Sequence, residues 1–343
     1  MEKLKYTYLD ERKSDILRLV IEEYISENRP IASNYIKLKY DLPFSPATIR
    51  NIFAKLEELG FLQQTHTSSG RIPTDIGYRY YVDNFIDTKK LKLTFNKDIE
   101  EKLLSISSNV DELMQETVLM LSKLSGLFGV VMISGIRHSI LTEIELISLA
   151  SNKIMMVIAL KSGMIKSLVL NLDIIVEPRD LDIVNRLLRE RLIGKSIEDV
   201  QSSISELLRN SIVPKHEIIQ IIFQHPLLVT QFARNNQIYT SSYKNLLEQP
   251  EFHDYDLFHK TISGFDQDYI KQILSAYSVD HNLITIIGNE TENELLNHCS
   301  IIASEFESDF IKGKIGLLGP TRIPYKNVIK ILKEFTEIMT NVC

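Results

Sequence analysis

The stretch SPATIRNIFAKLEELGF, from Ser45 to Phe61 and followed directly by LQQTHTSSGRIPT, decides the fold of the first part of this 343-residue chain. Ser45 is a typical N-cap, and Pro46 suits the first helical position, where a missing N–H costs no hydrogen bond. Gly60 is placed to end the helix. Beyond it, FLQQTH and RIPT can pair as two short strands around TSSG. The pattern therefore predicts one helix followed by a small hairpin.

This predicted helix has two unlike sides when its residues are spaced at about 100°. One side is apolar and consists of Ile49, Ile52, Phe53, Leu56 and Leu59. The other is small or polar and consists of Ala47, Asn51, Ala54 and Glu58, flanked by Thr48, Arg50 and Lys55. The first side is predicted to pack on a core, and the second is free for recognition.

Two more helices are predicted before this one. DERKSDILRLVIEEYISEN follows Asp10, a plausible N-cap, and Pro30 stops it. Ser33 caps a shorter helix, SNYIKLKYD, and TDIGYRYYVDNFI reads as a helix after the hairpin. Three helices and a small hairpin in this order predict a winged helix-turn-helix.

The rest of the chain predicts an α+β multidomain protein. DTKKLKLTFNKD reads as a linker, and an amphipathic helix is predicted from about Lys97 to Leu124. Four β-branched runs, GVVMIS, TEIELISLA, KIMMVIAL and IKSLVLNL, predict one consecutive antiparallel sheet, with LITIIG and KIGLLGP added later. The predicted domains are 1–88, 89–176, a mainly helical insertion at 177–279, and 280–343.

Composition and charge favour a globular protein of the cytoplasm. The chain is 44% hydrophobic and 24% charged, with a net charge of -6. The first 90 residues carry a net +1 and the remainder -7. No secretory signal or membrane-spanning run is apparent, and the two cysteines, Cys299 and Cys343, suggest a reducing compartment rather than a disulfide framework.

Motifs for catalysis, metals or cofactors are not found in the sequence. The eight histidines are scattered, no His-Glu-x-x-His or GxxxxGK[ST] occurs, and nothing resembles a nucleophile elbow. The acidic pairs Glu22-Glu23 and Glu57-Glu58 are interpreted as solvated helix surface. We therefore predict a protein that is not an enzyme and has no metal site or cofactor.

The polar side of the helix at 45–61 favours DNA binding, because a helix fits the major groove. Small side chains at 47 and 54 would let the backbone approach, Arg50, Asn51 and Thr48 could read bases, and Lys55 could hold a phosphate. Arg71, predicted at the tip of the glycine-bearing hairpin, suits a wing that contacts the minor groove or a phosphate. The predicted DNA-binding residues are Ser45, Ala47, Thr48, Arg50, Asn51, Lys55 and Arg71.

Each of these signals has an alternative. The polar side of any amphipathic surface helix resembles a recognition surface, and Arg71 could instead form a salt bridge. His66 is predicted to have a structural role in the hairpin.

Two long motifs resemble one protein family. SPATIRNIFAKLEELGFLQQTHTSSGRIPTDIGYRYYVD resembles the signature of the heat-inducible transcription repressor HrcA family, and GNETENELLNHCSIIASEFESDFIKGKIGLLGPTRIPYKNVI resembles its C-terminal segment. The resemblance spans nearly the whole chain. Where the family usually has Gly-Ser-Arg at the start of the second helix, this chain has Ala32-Ser33-Asn34, and Phe53 replaces a more usual methionine.

The resemblance implies a repressor that binds an inverted-repeat operator upstream of chaperone operons. It implies a winged-helix domain, a GAF-like antiparallel sheet domain and an inserted dimerisation domain, and it implies modulation by the chaperonin GroEL. The alternative function is a GAF-like small-molecule sensor or protein-interaction module without sequence-specific DNA binding.

Dimerisation is expected because one module with modest basic charge would bind DNA with little specificity. The predicted dimer surface is EIIQIIFQHPLLVTQF, Glu217 to Phe232, although this segment could equally be buried in the insertion's own core. The helix from Lys97 to Leu124 is the alternative surface.

Overall fold

The computed structural model describes residues 9–65, 70–93, 97–135, 139–172, 175–200, 237–276, 283–308 and 311–342. The first unit comprises helices α1 (Glu11–Glu27), α2 (Ser33–Tyr40) and α3 (Pro46–Glu58), strands β1 (Leu62–Gln64) and β2 (Arg71–Pro73), and helix α4 (Asp75–Phe85). The two strands pair antiparallel, with Leu62 opposite Pro73. Three helices followed by a two-stranded pair agree with the predicted element order.

Local caps explain where the first helices begin. Asp10 accepts a hydrogen bond from the Lys13 N–H before α1, and Ser45 accepts one from the Thr48 N–H before α3. Both predicted N-caps are confirmed. The prediction for α2 is wrong by one residue, because Ser33 is already helical and Ala32 occupies the cap position without a side-chain hydrogen bond.

A five-stranded antiparallel sheet forms the centre of the second unit. Its order is β7 (Gln237–Thr240), β3 (Phe128–Gly135), β10 (Lys312–Pro320), β9 (Cys299–Glu307) and β8 (Leu283–Ile287). Along β3, Val131 and Ile133 belong to one core, which includes helices α6 (Val110–Ser125) and α11 (Tyr325–Val342). Val130 and Met132 belong to a second core, with helices α9 (Tyr255–Gly264) and α10 (Gln267–Ala276). This alternation places helices on both faces of the sheet.

A separate three-stranded antiparallel sheet consists of β4 (Leu141–Ala150), β5 (Lys153–Leu160) and β6 (Ile165–Asn171). Helix α7 (Pro178–Leu192) runs beside its edge strand β4. There, Asn185 accepts a hydrogen bond from the Leu146 N–H at 2.7 Å and donates one to the Leu146 carbonyl at 2.9 Å. The side chain thus satisfies backbone groups that an edge strand would otherwise leave open. The remaining helices are α5 (Lys97–Ser105) and the short α8 (Lys244–Leu247).

The predicted consecutive sheet is wrong. β3 pairs with β10 and β7, whereas β4 to β6 form their own sheet. β3 is buried on both faces and is completed by strands more than a hundred residues away, a pairing that local β-branched runs do not encode. The predicted helix from Lys97 to Leu124 is also interrupted, because Asn109 caps α6 by accepting from the Glu112 N–H.

The predicted insertion at 177–279 contains β7, which pairs with β3 in the five-stranded sheet. The domain limits stay predictions, and the predicted dimer segment from Glu217 to Phe232 and the predicted role of His66 lie outside the described residues. Within the described ranges, none of the helices is both long and apolar enough to cross a membrane.

Candidate nucleic-acid interface

Helix α3 has the two unlike sides that its sequence predicts. Its buried residues are Ile49, Ile52, Phe53 and Leu56, and Leu59 is half-buried. The opposite side exposes Ala47, Arg50, Asn51, Ala54, Lys55 and Glu58, with Thr48 half-buried at its edge. The polar side chains thus extend along about three turns of a helix whose opposite side packs on an apolar core.

The first turn of this exposed side is ordered by its cap. The Ser45 hydroxyl oxygen accepts from the Thr48 N–H at 3.1 Å and lies 2.9 Å from the Thr48 hydroxyl oxygen. Ser45 and Thr48 are therefore coupled, and Ala47 between them leaves the backbone accessible. Such a cap satisfies a backbone donor that the helix itself cannot.

Lys55 forms an exposed ion pair with Glu58. Its Nζ lies 2.9 Å from Oε2 of Glu58, and the two side chains are 46% and 68% exposed. Exposed pairs of this kind contribute about 1 kcal/mol or less. Lys55 can consequently exchange Glu58 for a stronger anionic partner, such as a phosphate, at little cost.

Arg71 lies in β2 rather than at the tip of the hairpin. Its Nε donates to Oε2 of Glu57 at 2.9 Å, its Nη1 donates to the Gly70 carbonyl at 3.3 Å, and its side chain is only 14% exposed. Arg71 therefore forms a salt bridge, which is the alternative that its sequence allows. Glu57 is thereby paired rather than simply solvated, and the pair ties α3 to the strand behind it.

A buried carboxylate joins α1 to α2, and the sequence interpretation missed it. The sequence predicts a solvated Glu23, but its side chain is only 4% exposed. Its Oε2 accepts from Tyr35 at 2.8 Å and from Lys39 at 2.7 Å, and its Oε1 accepts from Tyr40 at 2.6 Å. The spacing of Tyr35 and Lys39, one helical turn apart, was the available signal, but the glutamate lies on another helix.

The ionisation of this cluster follows from its hydrogen bonds. Burial raises the pKa of Glu23, but the hydrogen bonds from Lys39, Tyr40 and Tyr35 outweigh burial, so the pKa is lowered overall. Burial and the hydrogen bond to Glu23 raise the pKa of Tyr40 to about 12. The cluster therefore holds a carboxylate anion and a neutral tyrosine at neutral pH.

Two other titratable groups, His298 and Cys299, have a pKa shifted by burial. The His298 Nε2 lies 2.6 Å from the Thr261 hydroxyl oxygen, and burial lowers the pKa of His298. Cys299 is fully buried, which raises the pKa of its thiol. In the part of the chain that the structure describes, no group of three or more histidine, cysteine or acidic side chains could hold a metal ion.

Comparison with known proteins assigns the family. The family model described as HrcA protein C terminal domain matches residues 111–329. The heat-inducible transcription repressor HrcA of Moorella thermoacetica is 30% identical over 327 residues, which is 95% of each chain. This chain belongs to the HrcA family. Its relatives are named as transcription repressors, which is not a class of enzyme.

A second HrcA relative and one solved structure extend the comparison. The repressor of Clostridium acetobutylicum is 31% identical over 335 residues, covering 97% of each chain, so the match includes most of the α1 to α4 unit. A solved structure titled as a hypothetical protein at 2.2 Å resolution aligns with a TM-score of 0.58 and 21% identity, covering 98% of this HrcA-family chain and 99% of that one. At that identity the likeness concerns the fold.

Proposed function

We propose that this HrcA-family chain represses transcription by binding duplex DNA through residues 1 to about 88, a winged helix-turn-helix in which α3 enters the major groove. The exposed polar side of α3, supported by its buried apolar side, is the observation that carries the proposal. The family name supports heat-inducible repression, and the chaperone operons and their inverted-repeat operator are part of the proposal.

Each predicted DNA-binding residue has a chemical role in this arrangement. Arg50 and Asn51 offer bidentate hydrogen bonding to purine edges, and the Thr48 hydroxyl offers a donor or an acceptor. Lys55 contacts a phosphate in place of Glu58. Ser45 orders the first turn, and Ala47 keeps the helix close to the bases. Arg71 acts through Glu57 by holding α3 against β2.

Selection of bound sequences from a random duplex pool tests the proposal directly. The full-length protein is expected to enrich an inverted repeat, because two modules related by a twofold axis read symmetric half-sites. Recovery of only random sequences at every round would overturn sequence-specific binding.

The rival function is a GAF-like sensor for a small effector, and salt distinguishes it from DNA binding. Phosphate contacts release counterions, so operator affinity is expected to fall linearly on a log–log plot against salt, with a slope near -0.9 for each phosphate neutralised. Fluorescence anisotropy between about 50 and 200 mM salt measures that slope. Absence of DNA binding at the lowest salt, together with a tightly bound small molecule that copurifies, would favour the sensor.

Dimerisation is part of the proposed function, and the three-stranded sheet supports it. Ile147, Met155 and Val169 are directly opposite one another across β4, β5 and β6. Ile147 and Val169 are 38% and 44% exposed, and Ile165 on the same face is 63% exposed. An apolar row on an open sheet face is typical of a protein interface.

The proposal also includes GroEL as a partner and a cytoplasmic location.

The Val169→Glu variant is expected to weaken self-association by about tenfold or more, because it would bury a charge in an apolar interface. Leu38→Glu is the matched control, since Leu38 is 72% exposed on α2, in the α1 to α4 unit. Sedimentation velocity over a concentration series measures both. If the Val169 variant dimerises as tightly as the native protein, the interface lies elsewhere, and charged substitutions in the predicted segment from Glu217 to Phe232 then test that surface.

A further inference from the structure

Helices α1 to α4 and strands β1 and β2 are called here the DNA-reading unit, and the five-stranded sheet with its helices is called the five-stranded-sheet unit. A nearly buried ion pair joins helix α4 of the first to the second. The Arg79 Nε donates to Oε1 of Glu290 at 2.8 Å, while Nη2 donates to Oε2 of Glu290 and, at 2.6 Å, to the Thr285 carbonyl. The Arg79 and Glu290 side chains are 13% and 11% exposed. A planar guanidinium that bridges a carboxylate and a carbonyl fixes orientation as well as distance.

The start of α4 adds a second contact. One Asp75 oxygen accepts from the Asn289 N–H at 3.0 Å and from the Asn289 side-chain amide at 2.9 Å. Gly288 has a φ of 55° and packs so closely on Asp75 that a Cβ at this position would overlap the carboxylate. The backbone at Gly288 is therefore in direct contact with the Asp75 side chain, at the point where α4 meets the turn after β8.

Arg322 forms a third contact on a different helix of the DNA-reading unit. Its Nη1 donates to the Ile25 carbonyl in the last turns of α1 at 2.9 Å, and its Nε donates to Oε1 of Glu251 at 2.5 Å. The buried rings of Tyr78 and Tyr325 pack 5.6 Å apart between the two units. Contacts to both α1 and α4 restrict rotation of the unit as well as translation.

Packed rings and an ion pair continue these contacts to α3. Tyr80, beside Arg79 on α4, packs its ring 5.3 Å from that of Phe61. The Arg71 to Glu57 pair then joins β2 to α3. The position of α3 relative to the five-stranded sheet is consequently determined by α4 and its partners.

We propose that Arg79 and Arg322 are positioning residues that determine which half-site spacing the dimer accepts; this inference rests on the proposed binding of an inverted repeat. Neither side chain reads DNA. They hold each α3 at one place relative to the sheet unit, so two recognition helices fit one separation of half-sites. Each additional base pair moves a half-site by about 3.4 Å and also rotates it about the DNA axis, which a fixed unit does not follow.

Weakening the contacts between the DNA-reading unit and the five-stranded-sheet unit is expected to lower affinity for the optimal operator and to increase tolerance of altered spacers. The second half-site would be bound at a lower effective concentration, so affinity for the optimal operator falls. The variant would lose less affinity than the native protein when the spacer is altered, because its DNA-reading unit can adjust to the new half-site position. Binding to a single half-site does not require these contacts and changes little.

The test uses the full-length Arg79→Lys/Arg322→Lys variant, which keeps both charges but removes the guanidinium geometry. Arg29→Lys is the matched control, since Arg29 is 59% exposed and pairs with Glu27 at the end of α1. Fluorescence anisotropy measures binding to the selected operator, to operators with spacers changed by one and two base pairs, and to one half-site. Circular dichroism verifies folding.

The native protein and the Arg29 variant are expected to lose about tenfold or more when the spacer changes by two base pairs. The double variant is expected to bind the optimal operator about tenfold more weakly, to lose only about twofold on the altered spacers, and to bind the half-site within about twofold of the native protein. A spacer profile as steep as the native one, or an equal loss on the half-site, would overturn the positioning role and leave DNA binding intact.

Two further outcomes are decisive. If the double variant does not fold, the nearly isosteric Glu290→Gln variant must show the same flattened spacer profile, and a native profile there overturns the proposal. If the native protein binds neither operator nor half-site, the proposed function itself is wrong and the positioning role is lost with it.

Discussion

Replacing Arg50 by alanine is expected to cost about 1 to 3 kcal/mol of binding free energy on the selected operator and to relax selectivity at one base position. Arg50 is exposed near the middle of the free side of α3, next to Asn51 and one turn from Ala47. A guanidinium there can donate two hydrogen bonds to one guanine, and losing a bidentate contact to a base removes affinity only where that base is present.

The measurement compares native and Arg50→Ala proteins on the selected operator, on operators with each half-site position changed in turn, and on random duplex. Native protein should lose affinity at one position that the variant no longer distinguishes. Arg29→Ala serves as the control for simple loss of a positive charge from an exposed site of the same unit. An equal loss on operator and random duplex would make Arg50 a backbone contact only and contradict its assignment to a base.

The Glu23→Ala variant is expected to lose about 2 to 3 kcal/mol of local stability in α1 and α2 at neutral pH. Removal of the carboxylate leaves the Tyr40 hydroxyl without its acceptor, leaves the Tyr35 hydroxyl only the longer bond to Glu27 at 3.4 Å, and takes the anionic partner from Lys39. Loss of several hydrogen bonds to one nearly buried carboxylate is among the larger effects of a single substitution, even though Lys39 itself is 42% exposed. Amide hydrogen exchange across α1 and α2 measures it.

The same cluster predicts a direction of pH dependence. The pKa of Glu23 is lower in the folded protein than its ordinary value of 4.5. Its contribution to stability is therefore fully present above pH 4.5 and is lost as the pH falls toward and through the folded-state value. The difference between native and Glu23→Ala proteins should consequently narrow below pH 4.5.

Glu22→Ala is the neighbouring control for Glu23. Glu22 is half-buried and its Oε1 accepts from Tyr81 at 3.5 Å, a much weaker arrangement. Its replacement should cost about 1 kcal/mol or less. Equal protection losses in the two variants, or a Glu23 effect that persists unchanged in acid, would contradict the role given to the cluster.

The sequence by itself determined the features that depend on residues close together in the chain. The side chain of Ser45 reaches an N–H only three residues away, and the burial of Ile49, Ile52 and Leu56 follows the helical period itself. Both depend on neighbouring residues, so the start of α3 and its two sides could be predicted. The element order of the first unit, and two motifs long enough to indicate the family, were also readable without a structure.

Contacts between distant segments were decided by the tertiary structure alone. Arg79 meets Glu290 across 211 residues of chain, and β3 pairs with β10 rather than with β4. The same reason explains Glu23, whose partners lie on another helix, and Arg71, which pairs with Glu57. Charge and β-propensity indicate that such residues need a partner. Long-range packing determines which partner lies close enough to exclude water.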